Sequence, residues 1–298
     1  MRRLFVLLGF VLLGSCGDDD GPAFVFEDAA TSDAGGDGDG GGRRDSAIAP
    51  GDCPAGTEWI YLIDFDGSFI RFQPDTRDLV VQGVLSCPAG DATPYSMAID
   101  RQGIAWVLYN DGNLFRVPLE DLSCTATDFV PGQMGFELFG MGYSANDLGS
   151  AEETLFVGGG PELSGGGTYE LSTIDAALSL SARGSLSSLP ELTGTGNAEL
   201  WGFFPAESPM VVRQIDKTNG GTIQMFDVGR IAAAGTTQSY AFAYWGGRFY
   251  IFHKTIDGTS SAIWQLTTDL GQLEEVVPDT GRRIVGAGVS TCAPVILI

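Results

Sequence analysis

Lysine is nearly missing from this chain of 298 residues; two of its sixteen basic residues are lysines, Lys217 and Lys254, set against 38 acids. The resulting formal charge of −22 repels phosphate backbones and anionic lipid surfaces, which sets nucleic acid aside as a partner. Histidine occurs once, at His253. A histidine-rich metal site is thereby excluded, and a Ser-His-Asp triad would have to use that one imidazole. Ending an aromatic strand segment, His253 reads as a turn or rim residue. No G-x-S-x-G elbow, H-E-x-x-H helix or P-loop occurs. The five cysteines never stand as C-x-x-C, the close spacing a metal site needs, and nothing in the sequence calls for a cofactor. Beyond residue 13 no run approaches 18 apolar residues, so no later segment reads as a spanning helix. Charge is sparse at 18% while hydrophobic residues reach 44%, which excludes wholesale disorder.

What the chain has instead is glycine, 43 residues or about 14%, roughly twice the usual share. In an aromatic-rich sequence this points to many short strands and tight turns. The length allows one large domain or two small ones.

The first residues read as a secretory signal. Arg2 and Arg3 supply positive charge, and Leu4 to Leu13 form an apolar run of ten, too short to span a bilayer. The run ends in Leu13-Gly14-Ser15-Cys16, which resembles the bacterial lipobox. That resemblance implies a signal peptide over residues 1–15, a diacylated Cys16 sulfur and an acylated new amino terminus. Several acyl chains together give stable anchoring in a lipid bilayer. An ordinary signal that happens to end near a cysteine is the alternative. Gly17 stands where an aspartate favours inner-membrane retention in enteric lipoproteins, so the resemblance points to the outer membrane of the cell envelope, facing the periplasm or the cell surface.

Residues 16–50 form the lipidated cysteine and a linker. From 17 to 50 there are eight glycines and nine acids, including Asp18-Asp19-Asp20. Such a segment buries too little to offset its ordering entropy, and its like charges extend it. As a disordered coil it would span about 30–35 Å, taking 5–6 Å times the square root of its length. Gly36-x-Gly38-x-x-Gly41 matches a dinucleotide fingerprint only by composition, because no strand precedes it.

Residues 51–298 carry an internal repeat. An apolar, aromatic segment recurs at Ile60–Ile63, Ala105–Leu108, Leu155–Val157, Leu200–Phe203 and Phe249–Phe252. A second follows each after a turn, at Phe69–Phe72, Leu114–Val117, Thr168–Leu171, Val212–Ile215 and Ile263–Leu266. Two of the turns are Asp-Gly (Asp66-Gly67 and Asp111-Gly112), a strong hairpin signal. The third pattern alternates small residues, at Ser96/Ala98, Gly140/Gly142, Gly194/Gly196, Ala241/Ala243 and Gly286/Gly288. In a strand, positions i and i+2 share a face, so each segment offers a face that another backbone can approach closely.

Five such strands around one axis are what the centre of a β-propeller requires. The first aromatic strand has no small-residue strand before it, and the last small-residue strand (Ile284 to Val289) has no aromatic strand after it. The expected fold is therefore an all-β, five-bladed β-propeller closed by the C-terminal strand. Blades of about 47 residues fit the usual repeat length, whereas six blades would allow only about 39. Setting aside Cys16 leaves four cysteines, an even number for an oxidising compartment, with three possible pairings. Cys53 precedes the first strand and Cys292 follows the last, so their bond would lock the ring. Cys87 and Cys124, near the outer strands of adjacent blades, would form the other.

A polar residue stands three positions before each small pair: Thr93, Glu137, Glu191, Gln238 and Arg283. Equivalent positions in a ring of blades make a ring in space, near one mouth of the central channel. Three readings stand open for it: inter-blade hydrogen bonds, ligand binding, or catalysis. Convergent polar groups in a concave mouth are the default binding site. Paired carboxylates such as Glu137 and Glu191 are also what glycoside hydrolysis uses. Some five-bladed propellers are glycosidases of that kind, although their fuller motifs are absent here. The five tryptophans (Trp59, Trp106, Trp201, Trp245 and Trp264) read as filling between blades rather than as a sugar platform, with Trp245 the most exposed candidate.

The segment from Cys53 to Cys292 resembles secreted β-propeller lipoproteins of glycine-rich, lysine-poor bacteria such as myxobacteria. The resemblance covers about four-fifths of the chain. It rests on Glu58-Trp59-Ile60-Tyr61, on Gly135-Phe136-Glu137-Leu138-Phe139-Gly140-Met141-Gly142, and on Ile284-Val285-Gly286-Ala287-Gly288-Val289-Ser290-Thr291-Cys292. It implies architecture and location only. The function these readings favour is a non-enzymatic module, held off the membrane, that binds a ligand, an envelope glycan or a protein. The alternatives are a carbohydrate-active hydrolase using Glu137 and Glu191, or a purely structural envelope protein.

Overall fold

The computed structural model describes residues 53–160 and 168–296. The signal peptide, Cys16 and the linker lie outside the described residues.

Twenty strands run through the described chain. The first three are β1 (Ile60–Asp64), β2 (Ser68–Gln73) and β3 (Asp78–Val84). Next come β4 (Pro94–Ile99), β5 (Ile104–Tyr109), β6 (Leu114–Pro118) and β7 (Thr125–Ala126). They are followed by β8 (Leu138–Ala145), β9 (Glu153–Gly160), β10 (Tyr169–Ile174) and β11 (Leu180–Leu186). Then come β12 (Glu191–Gly194), β13 (Leu200–Phe204), β14 (Val211–Ile215) and β15 (Thr222–Asp227). The chain ends with β16 (Thr237–Trp245), β17 (Arg248–Thr255), β18 (Ala262–Thr267), β19 (Leu273–Val277) and β20 (Ile284–Val289).

These strands form five four-stranded antiparallel sheets, ordered β20-β1-β2-β3, β4-β5-β6-β7, β8-β9-β10-β11, β12-β13-β14-β15 and β16-β17-β18-β19. The inner strands pack in a closed cycle, β20 on β4, β4 on β8, β8 on β12, β12 on β16 and β16 on β20. The fold is a five-bladed β-propeller. Its first blade is completed by the last strand, with Ile60 opposite Val289 and Leu62 opposite Ala287. The Cys53–Cys292 disulfide (Cα–Cα 5.9 Å) lies just beyond that pairing, and Cys87–Cys124 (4.9 Å) links the first two blades.

The inner strands can crowd because their facing residues are small. A Cβ on Gly142 would stand 2.9 Å from the Thr193 Cα, and one on Gly194 would stand 2.7 Å from the Ser144 Cα. Either would be a clash, so β8 and β12 approach as bare backbone. Gly196 differs from the repeat pattern, because β12 ends at Gly194 and Gly196 sits in the following turn. There its missing side chain makes room for the Thr291 carbonyl, 2.5 Å from where a Cβ would stand.

Away from the axis the blades part, and aromatic side chains fill the widening gap. Five apolar clusters occupy the five gaps between neighbouring blades. Between the first and fifth blades, Phe72 packs edge-on against Tyr250 (5.4 Å) and Phe252 (5.6 Å). All three are fully buried, each contributing about 1.5–3 kcal/mol by its burial. The outer strands β3 and β15 are mostly exposed, which is why they carry no recurring apolar pattern. Trp201, Trp245 and Trp264 are buried, and Trp59 and Trp106 half-buried. The expected exposure of Trp245 is not found, because its Nε1–H donates to the Glu58 carbonyl at 2.7 Å. His253 is likewise no rim residue. It is 2% exposed within β17, with Nε2 2.9 Å from the Thr237 hydroxyl.

Candidate functional site

The five inner strands run the same way along the axis, so their leading ends gather at one mouth. A cavity of about 470 Å³ opens there, with wall residues from all five blades. Thr93, Glu191, Gln238 and Arg283 line it, four of the five positions expected from the repeat. Glu137 does not. It is exposed just before β8, off the cavity wall, while its neighbour Leu138 is on it. The paired carboxylates that glycoside hydrolysis needs are therefore not brought together at this cavity.

Each of the four is fixed by local structure. Thr93 caps the β4–β5 hairpin: its N–H donates to Asn110 Oδ1 (3.0 Å), and the Asn110 N–H donates back to its carbonyl (2.9 Å). Gln238 occupies a bulge, where the β16–β17 register shifts between Thr237 and Ser239. The bulge leaves Gln238 exposed and turns Ser239 inward. The Arg283 guanidinium stacks over the Phe65 ring at 4.2 Å, and its carbonyl accepts from the Phe65 N–H at 2.8 Å.

Glu191 is the deepest of the four, 2% exposed. Its carboxyl accepts hydrogen bonds from the Ser96 hydroxyl (2.5 Å) and from the Met141 N–H. Burial still pushes its pKa well above the ordinary 4.5, outweighing both bonds. Tyr95, Tyr169 and Tyr240 stand in the same wall. The Tyr95 and Tyr240 phenols hydrogen-bond to each other, and burial raises the pKa of both. These tyrosines lie outside the polar positions of the repeat, although the sequence carries a signal for two of them. Tyr95, Tyr240 and Val285 each directly precede the first small residue of their inner strand, and all three reach the wall.

Toward the opposite end of the inner strands, Arg101, Glu153 and Thr291 form a hydrogen-bonded polar cluster. The Arg101 N–H donates to Glu153 Oε1 (2.6 Å), and the Thr291 hydroxyl donates to Glu153 Oε2 (2.7 Å). Arg101 Nη1 in turn reaches Thr291 Oγ1 at 3.2 Å. Burial, with the nearby Asp100 charge, lifts the Glu153 pKa to about 7. Among the described residues no three His, Cys, Asp or Glu side chains cluster as metal ligands would, and no helix is long and apolar enough to cross a membrane.

No protein-family model matches the chain, and no curated protein matches it in sequence. Among solved structures, an exo-β-1,3-galactanase from Phanerochaete chrysosporium, crystallised with β-1,3-galactotriose, aligns at 9% identity and a TM-score of 0.43. The alignment covers 65% of this chain and 53% of that one, so this chain spans about half the galactanase's length. The β-propeller domain of Cps50 (Swd1) from Myceliophteria thermophila aligns at 12% identity and a TM-score of 0.41, over 76% of this chain and 84% of that one. For the WD40 β-propeller domain of Doa1 the values are 12% and 0.39, over 78% and 81%. None of these alignments bears on a particular residue or ligand of this chain.

Proposed function

We propose that this protein is a lipid-anchored component of the cell envelope whose propeller binds a ligand or partner at the axial cavity without chemical turnover. The cavity itself carries the reading. Its volume of about 470 Å³ lies within the range of small-molecule sites, and its wall is apolar with a few convergent polar groups. The ring closure and both disulfides suit a rigid surface for recognition. Two features weigh against hydrolysis: Glu137 is off the wall, and the one imidazole is buried against Thr237.

Anchoring rests on Leu13-Gly14-Ser15-Cys16 and on the glycine- and acid-rich linker after it. An acylated Cys16 would hold the chain on the bilayer, with Gly17 favouring the outer membrane. Two experiments test the reading. Mass spectrometry of the mature amino terminus should find Cys16 acylated, and Cys16→Ser should release the protein from membranes. A thermal-melt screen of the full chain against envelope glycans, peptides and small metabolites should find a stabilising ligand. At 100 times its dissociation constant a ligand adds about 2.7 kcal/mol, roughly 5–10 °C for a domain of this size. A soluble chain with unlipidated Cys16 overturns the anchoring; no shift from any compound overturns the small-ligand site.

A further inference from the structure

The cavity wall holds one acid, Glu191, and one base, Arg283, and neither is paired in an ion pair among the described residues. Both hydrogen bonds to Glu191 come from neutral donors, the Ser96 hydroxyl and the Met141 N–H. Burial favours the neutral form of a carboxyl so deeply placed, and a positive charge brought beside it favours the carboxylate. The Tyr95 and Tyr240 phenols lie near it, with Tyr169 beside them on the same wall, and aromatic walls are the surroundings in which proteins hold organic cations. On the same wall, Arg283 Nε is buried and has no hydrogen-bond partner among the described residues. The same holds for Ser239 Oγ, on a residue 8% exposed. Buried polar atoms left unsatisfied cost about 1–3 kcal/mol each, so on a concave wall they mark donors that a ligand would use.

We infer that the cavity takes a small zwitterion of amino-acid type, its ammonium group beside Glu191 among the tyrosines and its carboxylate on Arg283 and Ser239. This rests on the cavity being the binding site. A neutral sugar would leave the Arg283 guanidinium without a counter-charge, a simple anion would leave the tyrosine-walled side beside Glu191 unused, and a simple cation would leave Arg283 and Ser239 unused.

Binding carries a proton signature. As the ammonium arrives, Glu191 gives its proton to solvent and becomes the carboxylate. The groups facing Glu191 are Ser96 and Tyr95 from β4, the Met141 N–H from β8 and Tyr240 from β16, with Tyr169 from β10 beside the two tyrosines. Burial holds Tyr95 and Tyr240 above the neutral range, so the released proton is that of Glu191. Affinity therefore rises with pH by up to about tenfold per unit while the free protein holds Glu191 protonated.

Isothermal titration of the full chain with glycine betaine, γ-aminobutyrate and the common L-amino acids, in two buffers of different ionisation enthalpy, tests this. Choline and propionate serve as half-ligands. At least one zwitterion should bind, at least tenfold tighter than either half-ligand, with measurable proton release. Glu191→Gln should lose tenfold or more in affinity and the proton release while still unfolding in a single cooperative transition. Arg283→Met should weaken binding by a similar factor. Binding with no proton release by the wild-type chain overturns the inference. If no zwitterion binds while a neutral oligosaccharide stabilises the chain in a manner lost in Tyr240→Ala, the cavity reading stands and the zwitterion falls. If nothing binds, both fall.

Discussion

The Glu191 carboxyl on β12 passes the bare backbone of Gly140 on β8 to reach the Ser96 hydroxyl on β4, 2.5 Å away. One side chain thus ties three consecutive blades, and the glycine between them is what lets it through. A Cβ on Gly140 would stand 2.7 Å from the Glu191 Cα and 2.9 Å from Oε2. Gly140→Ala should lower the unfolding free energy by about 1–3 kcal/mol, as overpacking does. Urea unfolding measures it, and a change within error would mean that the inner strands can separate at little cost.

Stability should fall as pH rises through the range governed by Glu153. Its folded pKa of about 7 lies above the ordinary 4.5, so the folded state holds a proton that the unfolded state has already lost. The contribution is full below about 4.5, declines across the interval and is gone above about 7. Glu191 acts in the same direction. Compared with wild type at each pH, Glu153→Gln should gain in relative melting temperature from pH 4.5 to 7. A constant offset between the two profiles would rule this titration out.

His253 acts in the opposite sense. Burial lowers its pKa to about 4, so the folded state resists the proton that the unfolded state takes up near 6.5. Its contribution is present above 6.5 and is lost as pH falls toward 4. Because the chain has one histidine, its ring resonances are a single set in an NMR spectrum. They should hold their position from pH 8 down to about 5. A midpoint near 6.5 would show the ring reaching solvent.

The two disulfides should differ in what they contribute. Cys53–Cys292 closes a loop with a sequence separation of 239, and Cys87–Cys124 one of 37. By loop-closure entropy the first should be worth roughly 1–2 kcal/mol more than the second. Replacing each pair by serines and comparing urea midpoints checks the order. An equal loss would mean that the ring holds its ends together without the bond.

Much of this architecture was legible in the sequence because the constraint repeats. The hub needs a small face from every blade, so the pattern at Ser96/Ala98, Gly140/Gly142 and Gly286/Gly288 is set by sterics that local context barely alters. Closure was readable from the order of the segments, and the disulfides from which segments their cysteines flank. The outer strands were not, since a solvated edge such as β3 places no demand on residue type. At the site, the repeat offset found Thr93, Glu191, Gln238 and Arg283 but also gave Glu137, which the backbone before β8 carries off the wall. Equivalence in register does not fix where a side chain goes when the turn before the strand differs. His253 and Trp245 depart from their sequence expectation for a related reason. A strand end reads as rim, yet β17 and β16 extend past the repeat core and bury both.

The pairing of β20 with β1 also has a bearing on synthesis. A ribosome delivers Ile60 long before Ile284, so the inner edge of the first blade stays unpaired while more than two hundred residues follow. That edge belongs to a fully buried apolar strand, the kind that recruits other strands when left open. The native ring cannot form on a partial chain, and a product stopped before residue 284 keeps an adhesive edge with nothing of its own to cover it. A chain that stops before the final strand therefore keeps an exposed edge of the kind that favours aggregation.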